Sequence, residues 1–172
     1  MTLTELNRLD RADFVNALGS IYEHSPWVAE EAWSRRPFAT IDDLHAAMKD
    51  AVARAGHERQ LALIRAHPDL AGKALPRLEL TTQSRREQRG AGLDQCSMEE
   101  LARLNELNTQ YKQKFAFPFV LAVKGYDRAA IIAAFERRVA NDVDVEFAEC
   151  LRQIDKIAGF RLADRFSGSQ DK

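Results

Sequence analysis

Apolar residues recur at steps of three and four along almost the whole chain, the spacing that lines up one face of an α-helix. Asp10 or Asp13 can cap a helix carrying Phe14, Leu18 and Ile21, and Pro26 suits the first turn of another through Trp27, Glu30 and Trp33. Thr40 with Asp43 begins a third, which runs through Leu44, Met48 and Val52 until Gly56 stops it. A short fourth over residues 57–66 ends by force: His67 precedes Pro68, and a residue before proline is disfavoured in the α region. Ser97 and Glu100 form a capping box ahead of Leu101, Leu104, Leu107, Tyr111 and Phe115, and Asp127 caps a segment with Ile131, Phe135 and Val139. The last helix is predicted over residues 143–165. No repeat, low-complexity linker or boundary divides residues 1–172, so the pattern predicts a single all-α domain.

Three places depart from this pattern. Residues 81–89, Thr-Thr-Gln-Ser-Arg-Arg-Glu-Gln-Arg, have helical character without one apolar residue, although a helix normally needs an apolar stripe to dock. In projection Ser84, Glu87, Gln88 and Ala91 share one sector while Arg85, Arg86 and Arg89 cluster on another. A hydroxyl, a carboxylate and an amide can then face a wet pocket; the alternative is a solvated helix whose Glu87 pairs with an arginine one turn away. The run Phe117-Pro118-Phe119-Val120-Leu121-Ala122-Val123 is apolar and partly β-branched but has no partner strand. Its buried backbone groups must find helix ends, water or a ligand, or the run is an extended connector packed in the core. Arg161 continues the apolar face of Phe147, Leu151, Ile154 and Ala158. A guanidinium buried there must be paired, whereas at a domain edge its stem would snorkel and its head stay solvated. Asn108, beside the stripe of its helix, fits a structural hydrogen bond to backbone.

Composition narrows the function classes. A chain of 172 residues that is 45% hydrophobic can bury a core without staples. Its 25 basic and 26 acidic residues create no field for nucleic acid or anionic lipid, which leaves small molecules or proteins as partners. No stretch approaches a membrane span or a signal peptide, and Cys96 and Cys150 belong to no Cys/His cluster, so a cytoplasmic protein with reduced thiols is expected. His24, His45 and His57 lack H-x-x-x-H or H-E-x-x-H spacing, and no glycine-rich phosphate loop or nucleotide fingerprint is present, so neither metal nor organic cofactor is expected. That leaves His67, a titratable imidazole at a helix break close in sequence to the polar helix, as the candidate reaction centre.

These residues add up to a resemblance. His67-Pro68-Asp69-Leu70-Ala71-Gly72-Lys73, Leu80-Thr81 with Ser84, Glu87-Gln88 and Ala91-Gly92-Leu93-Asp94, then Leu107-Asn108 with Tyr111, Lys114-Phe115 and Phe117-Pro118-Phe119, and finally Glu136-Arg137-Arg138 with Ala140-Asn141-Asp142, resemble the OHCU decarboxylase family. The likeness runs from His24-Ser25-Pro26-Trp27 to the final helix in one order. It departs at Ala116, where many relatives have glycine, and at Cys96. The resemblance implies an all-helical enzyme, commonly a homodimer, acting without metal or organic cofactor on 2-oxo-4-hydroxy-4-carboxy-5-ureidoimidazoline to give (S)-allantoin. It implies His67 as the catalytic acid/base; on chemical grounds Glu87 is expected to orient that imidazole or bind the ureido N–H groups. The substrate pocket it implies comprises Pro68, the segment Ser84, Arg85, Arg86, Glu87 and Gln88, the segment Phe119, Val120, Leu121, Ala122 and Val123, and Arg161, which would hold a carboxylate or carbonyl oxygen.

The chemistry suits those groups. The leaving carboxylate sits beside a hydroxyl-bearing carbon next to a ring C=N, so the imine accepts the electrons released with CO2 and no external sink is needed. A positioned imidazole can relay the proton that fixes the handedness of the product. The competing class is a non-enzymatic all-helical module that binds a partner protein or peptide; a metal-dependent ureide hydrolase lacks ligand spacing.

Overall fold

In the computed structural model, which describes residues 1–70 and 81–167, helices begin at the polar caps expected at Asp10, Thr40, Ser97 and Asp127. Ala71, Gly72, Lys73 and Leu80 of the family pattern, and the polar tail 168–172, lie outside the described residues. Among the described residues there are nine α-helices and one 3-10 turn and no strand, an all-α architecture. The chain divides into two compact units, residues 1–66 with 155–172, and residues 67–154.

The first unit holds α1 (Leu3–Arg8), α2 (Arg11–Leu18), α3 (Trp27–Trp33), α4 (Ile41–Arg54) and α5 (Gly56–Arg65), with the part of α9 (Val143–Ser167) that begins at Asp155. Helix α1 is too short to show a periodic stripe; a capping box between Thr2 and Glu5 starts it. Asp10, not Asp13, caps α2, its Oδ1 accepting from the Asp13 N–H at 2.9 Å. Because α2 stops at Leu18, Ile21 lies beyond the helix although it is buried. Helix α3 buries Val28, Ala29 and Ala32, and its two tryptophans stay half-buried under the guanidiniums of Arg59 and Arg36. Helix α4 buries Leu44, Ala47, Met48, Ala51 and Val52 behind the Thr40/Asp43 capping box. Gly56, at φ +77°, turns the chain out of α4, and Gln60 Nε2 donates to the Val52 and Ala53 carbonyls left open there.

The second unit contains α6 (Thr82–Gly90), a 3-10 turn (Leu93–Gln95), α7 (Met98–Phe115), α8 (Arg128–Val139) and α9 as far as Ile154. Helix α7 packs on α8 around Tyr111, whose ring lies 5.3 Å from Phe119 and 5.6 Å from Phe135, while Phe119 stacks on Phe135 at 3.8 Å. Ala116 ends α7 in the left-handed region at φ +59°, a conformation in which glycine is unstrained and alanine is not. The first half of α9 differs from its expected face. Phe147 and Leu151 are only half-buried, whereas Glu146, Cys150 and Gln153, also one turn apart, are buried.

Candidate functional site

His67 occupies the break after α5, where Pro68 denies it a helical neighbour. It is 7% exposed, so burial rather than solvent surrounds the imidazole. The short loop behind it is held from two sides. Asn108 Nδ2 donates to the Leu70 carbonyl at 3.0 Å, the backbone hydrogen bond expected of that residue. Lys112 Nζ pairs with Asp69 Oδ2 at 2.6 Å, and from α6 Gln88 Nε2 donates to the Asp69 carbonyl at 3.3 Å. The loop that carries His67 is therefore fastened to α6 and α7 through the two residues after Pro68.

Helix α6 takes the orientation that projection predicts. Thr81 caps it, its hydroxyl accepting from the Ser84 N–H at 3.2 Å. Ser84 is buried, Glu87 and Gln88 are half-buried, and Arg85, Arg86 and Arg89 are exposed. The inward sector thus presents a hydroxyl, a carboxylate and an amide, with no apolar side chain on the helix. Arg85 and Arg86, which the resemblance includes in the substrate set, point to the solvent sector.

Phe119, Val120, Leu121, Ala122 and Val123 are all at most 5% exposed and form neither helix nor strand. Periodicity had found no ladder partner for them; side chains supply one. Arg138 Nη1 donates to the Val120 carbonyl at 2.7 Å, and Gln153 Oε1 accepts from the Ala122 N–H at 3.0 Å. Arg138 in turn meets Glu146 Oε1 through Nε and Nη2, Asn141 Nδ2 donates to Glu146 Oε2 at 2.8 Å, and the Tyr111 hydroxyl donates to Glu146 Oε1. Burial works against the Arg138 charge, but the Glu146 contacts outweigh it and hold its pKa above the usual guanidinium value. Burial pushes the Tyr111 hydroxyl well above the phenol range and the Cys150 thiol up to about 11, so both keep their protons at neutral pH. Asn108 and Tyr111 are one turn apart on α7, so the His67 loop and the ring of Phe119 dock on adjacent stretches of one helix face.

A family model described as OHCU decarboxylase matches residues 7–163. The chain belongs to the OHCU decarboxylase family. A relative from Haloferax volcanii named 2-oxo-4-hydroxy-4-carboxy-5-ureidoimidazoline decarboxylase is 50% identical over 97% of each chain. One of the same name from Halalkalicoccus jeotgali is 41% identical, over 95% of this chain and 91% of its own. Among solved structures, one described as (S)-allantoin synthase is 33% identical with a TM-score of 0.75; it is matched over 96% of this chain, which spans about half, 54%, of that protein.

Within this OHCU decarboxylase fold Arg161 belongs to the first unit. It is 4% exposed, and its Nη1 lies 2.9 Å from Glu23 Oε2 and within 3.4 Å of the Ser20 and Ile21 carbonyls. The solvated-edge reading of Arg161 is therefore corrected: the guanidinium is buried and paired, as a charge on an apolar stripe must be. Sequence reasoning assigned no role to Arg138, Glu146 and Gln153. A signal was present, since Arg138 continues the stripe of Ile131 and Phe135 just as Arg161 continues its own. Among the described residues no helix is long and apolar enough to cross a membrane, and no three His, Cys, Asp or Glu gather as a metal site.

Proposed function

We propose that this chain is a carboxy-lyase that converts 2-oxo-4-hydroxy-4-carboxy-5-ureidoimidazoline to (S)-allantoin and CO2 in urate degradation, with residues 1–172 acting as one decarboxylase domain. The observation that carries the proposal is membership of the OHCU decarboxylase family along residues 7–163. The reaction fits a cytoplasmic homodimer that uses no metal or organic cofactor. Breaking the bond to the carboxylate releases CO2 and leaves an electron pair that forms a ring C=C bond as the imine nitrogen takes up charge and a proton. The hydroxyl then gives up its proton, its carbon becomes a carbonyl, and the neighbouring carbon is protonated from one face.

His67, buried and fixed through its loop, is the group we assign to relay that proton. Glu87 orients the imidazole or receives the ureido N–H groups; Ser84, Gln88 and the backbone of residues 119–123 contact ring and ureido polar atoms, with Pro68 as an apolar wall. The test is to add the chain to freshly generated substrate and follow the circular dichroism of the product. Accelerated CO2 release with a transient excess of the S enantiomer is expected; a rate and dichroism equal to those of spontaneous decay contradict the proposal and favour a binding module.

A further inference from the structure

The side-chain hydrogen bonds to residues 119–123 fall on one edge only. Successive peptide groups of an extended chain point to opposite sides, and the two groups held by side chains, the Val120 carbonyl and the Ala122 N–H, belong to residues of the same parity. On the other edge the Val123 carbonyl accepts from the Tyr126 N–H at 2.9 Å. The N–H and C=O of Leu121 and the N–H of Val123 bond to no described residue, although both residues are at least 95% buried. Buried backbone groups in that condition are rare and expensive unless something else meets them.

Gln153 is built for the first edge. It is buried, and its amide is used at both ends: Nε2 donates to Glu149 Oε1 at 2.6 Å while Oε1 accepts from Ala122. The Glu149 carboxylate accepts and cannot donate, so it fixes which way the amide faces and leaves its oxygen for the segment. We infer that Gln153 is a positioning residue for the decarboxylase site: with Arg138 it ties one edge of the 119–123 segment to α8 and α9, so that the opposite edge presents a donor, an acceptor and a second donor to the ring of the ureide. This rests on the proposed function. The pattern suits a cyclic ureide, in which carbonyl and N–H alternate around the ring.

Steady-state kinetics of wild type, Gln153→Leu and the swap Glu149→Gln/Gln153→Glu test it. Leucine matches the glutamine in size but leaves the Ala122 N–H unheld, so KM rises about tenfold with kcat within about threefold. The swap restores both an acceptor for Ala122 and a donor at position 149, and returns KM to within about twofold of wild type. Should Gln153→Leu not fold, Gln153→Asn, which withdraws the amide by one methylene, carries the same expectation. An active wild type with an unchanged KM in the folded variant overturns the positioning role and assigns the second edge to water. A wild type without turnover overturns the proposed function, and this inference with it.

Discussion

Helices α4 and α6 reach the interior by opposite means. In the first unit α4 buries five apolar side chains on one stripe. In the second α6 buries Ser84 and fastens to the His67 loop through Gln88, without an apolar residue along its length. A fully buried Leu or Met contributes about 1.5–3 kcal/mol, a neutral hydrogen bond about 1 kcal/mol net. Polar docking is thus the weaker glue, and it leaves groups that can act on a substrate. On the proposed function, the difference separates what holds the chain together from what acts on the substrate.

The sharpest break of that comparison is to lose function without fold. His67→Asn is expected to lower kcat by about 10²- to 10⁴-fold, the usual worth of a positioned acid or base, while the urea midpoint stays near wild type. The second unit also has a structural polar element, and Arg138→Met probes it. Leaving Glu146 charged and buried without its partner costs about 3–5 kcal/mol, seen as a lowered urea midpoint at unchanged slope. The α4 counterpart is Met48→Ala, which opens a cavity in the first unit and costs about 2–5 kcal/mol; below the transition, kcat and KM stay at wild-type values.

The α4 stripe was legible because apolar burial leaves a period in the sequence, and so were the caps at Asp10, Thr40, Ser97 and Asp127, whose side chains act within one turn. The polar face of α6 was legible by subtraction: projection separated Ser84 from Arg85 and Arg86, as found. What could not be read were partners distant in sequence. Gln153 meets Ala122 and Arg138 meets Val120 across chain separations for which local pattern holds no information. Arg161 shows the same limit, since its stripe position demanded a counter-charge but did not point to Glu23.

Two smaller effects refine the contrast. Ala116→Gly relieves a left-handed alanine at the end of α7 and is expected to raise stability by about 0.5–1 kcal/mol, read as an increase in Tm. In the first unit His45 Nε2 lies 2.9 Å from Asp155 Oδ1, and Lys49 Nζ 3.1 Å from Oδ2. The Asp155 hydrogen bond raises the His45 pKa above 6.5, so its stabilisation is complete below 6.5 and is lost as pH rises through the raised value. Burial opposes the Asp155 charge, but His45 and Lys49 prevail and hold its pKa below 3.8; its share is present above 3.8 and is lost as pH falls through the lowered value. The pair therefore contributes most between those limits. His45→Gln should flatten the decline in Tm above pH 6.5, by less than about 1 kcal/mol because the pair is half-exposed.

Whether the polar-docked helix and the side-chain-held segment form the site is read from amide chemical shifts during titration with (S)-allantoin. Shift changes are expected to concentrate at residues 67–70, 84–88 and 119–123, with α4 between Leu44 and Val52 silent. Changes centred on α4, or none at those three segments in a chain that turns substrate over, would contradict that assignment.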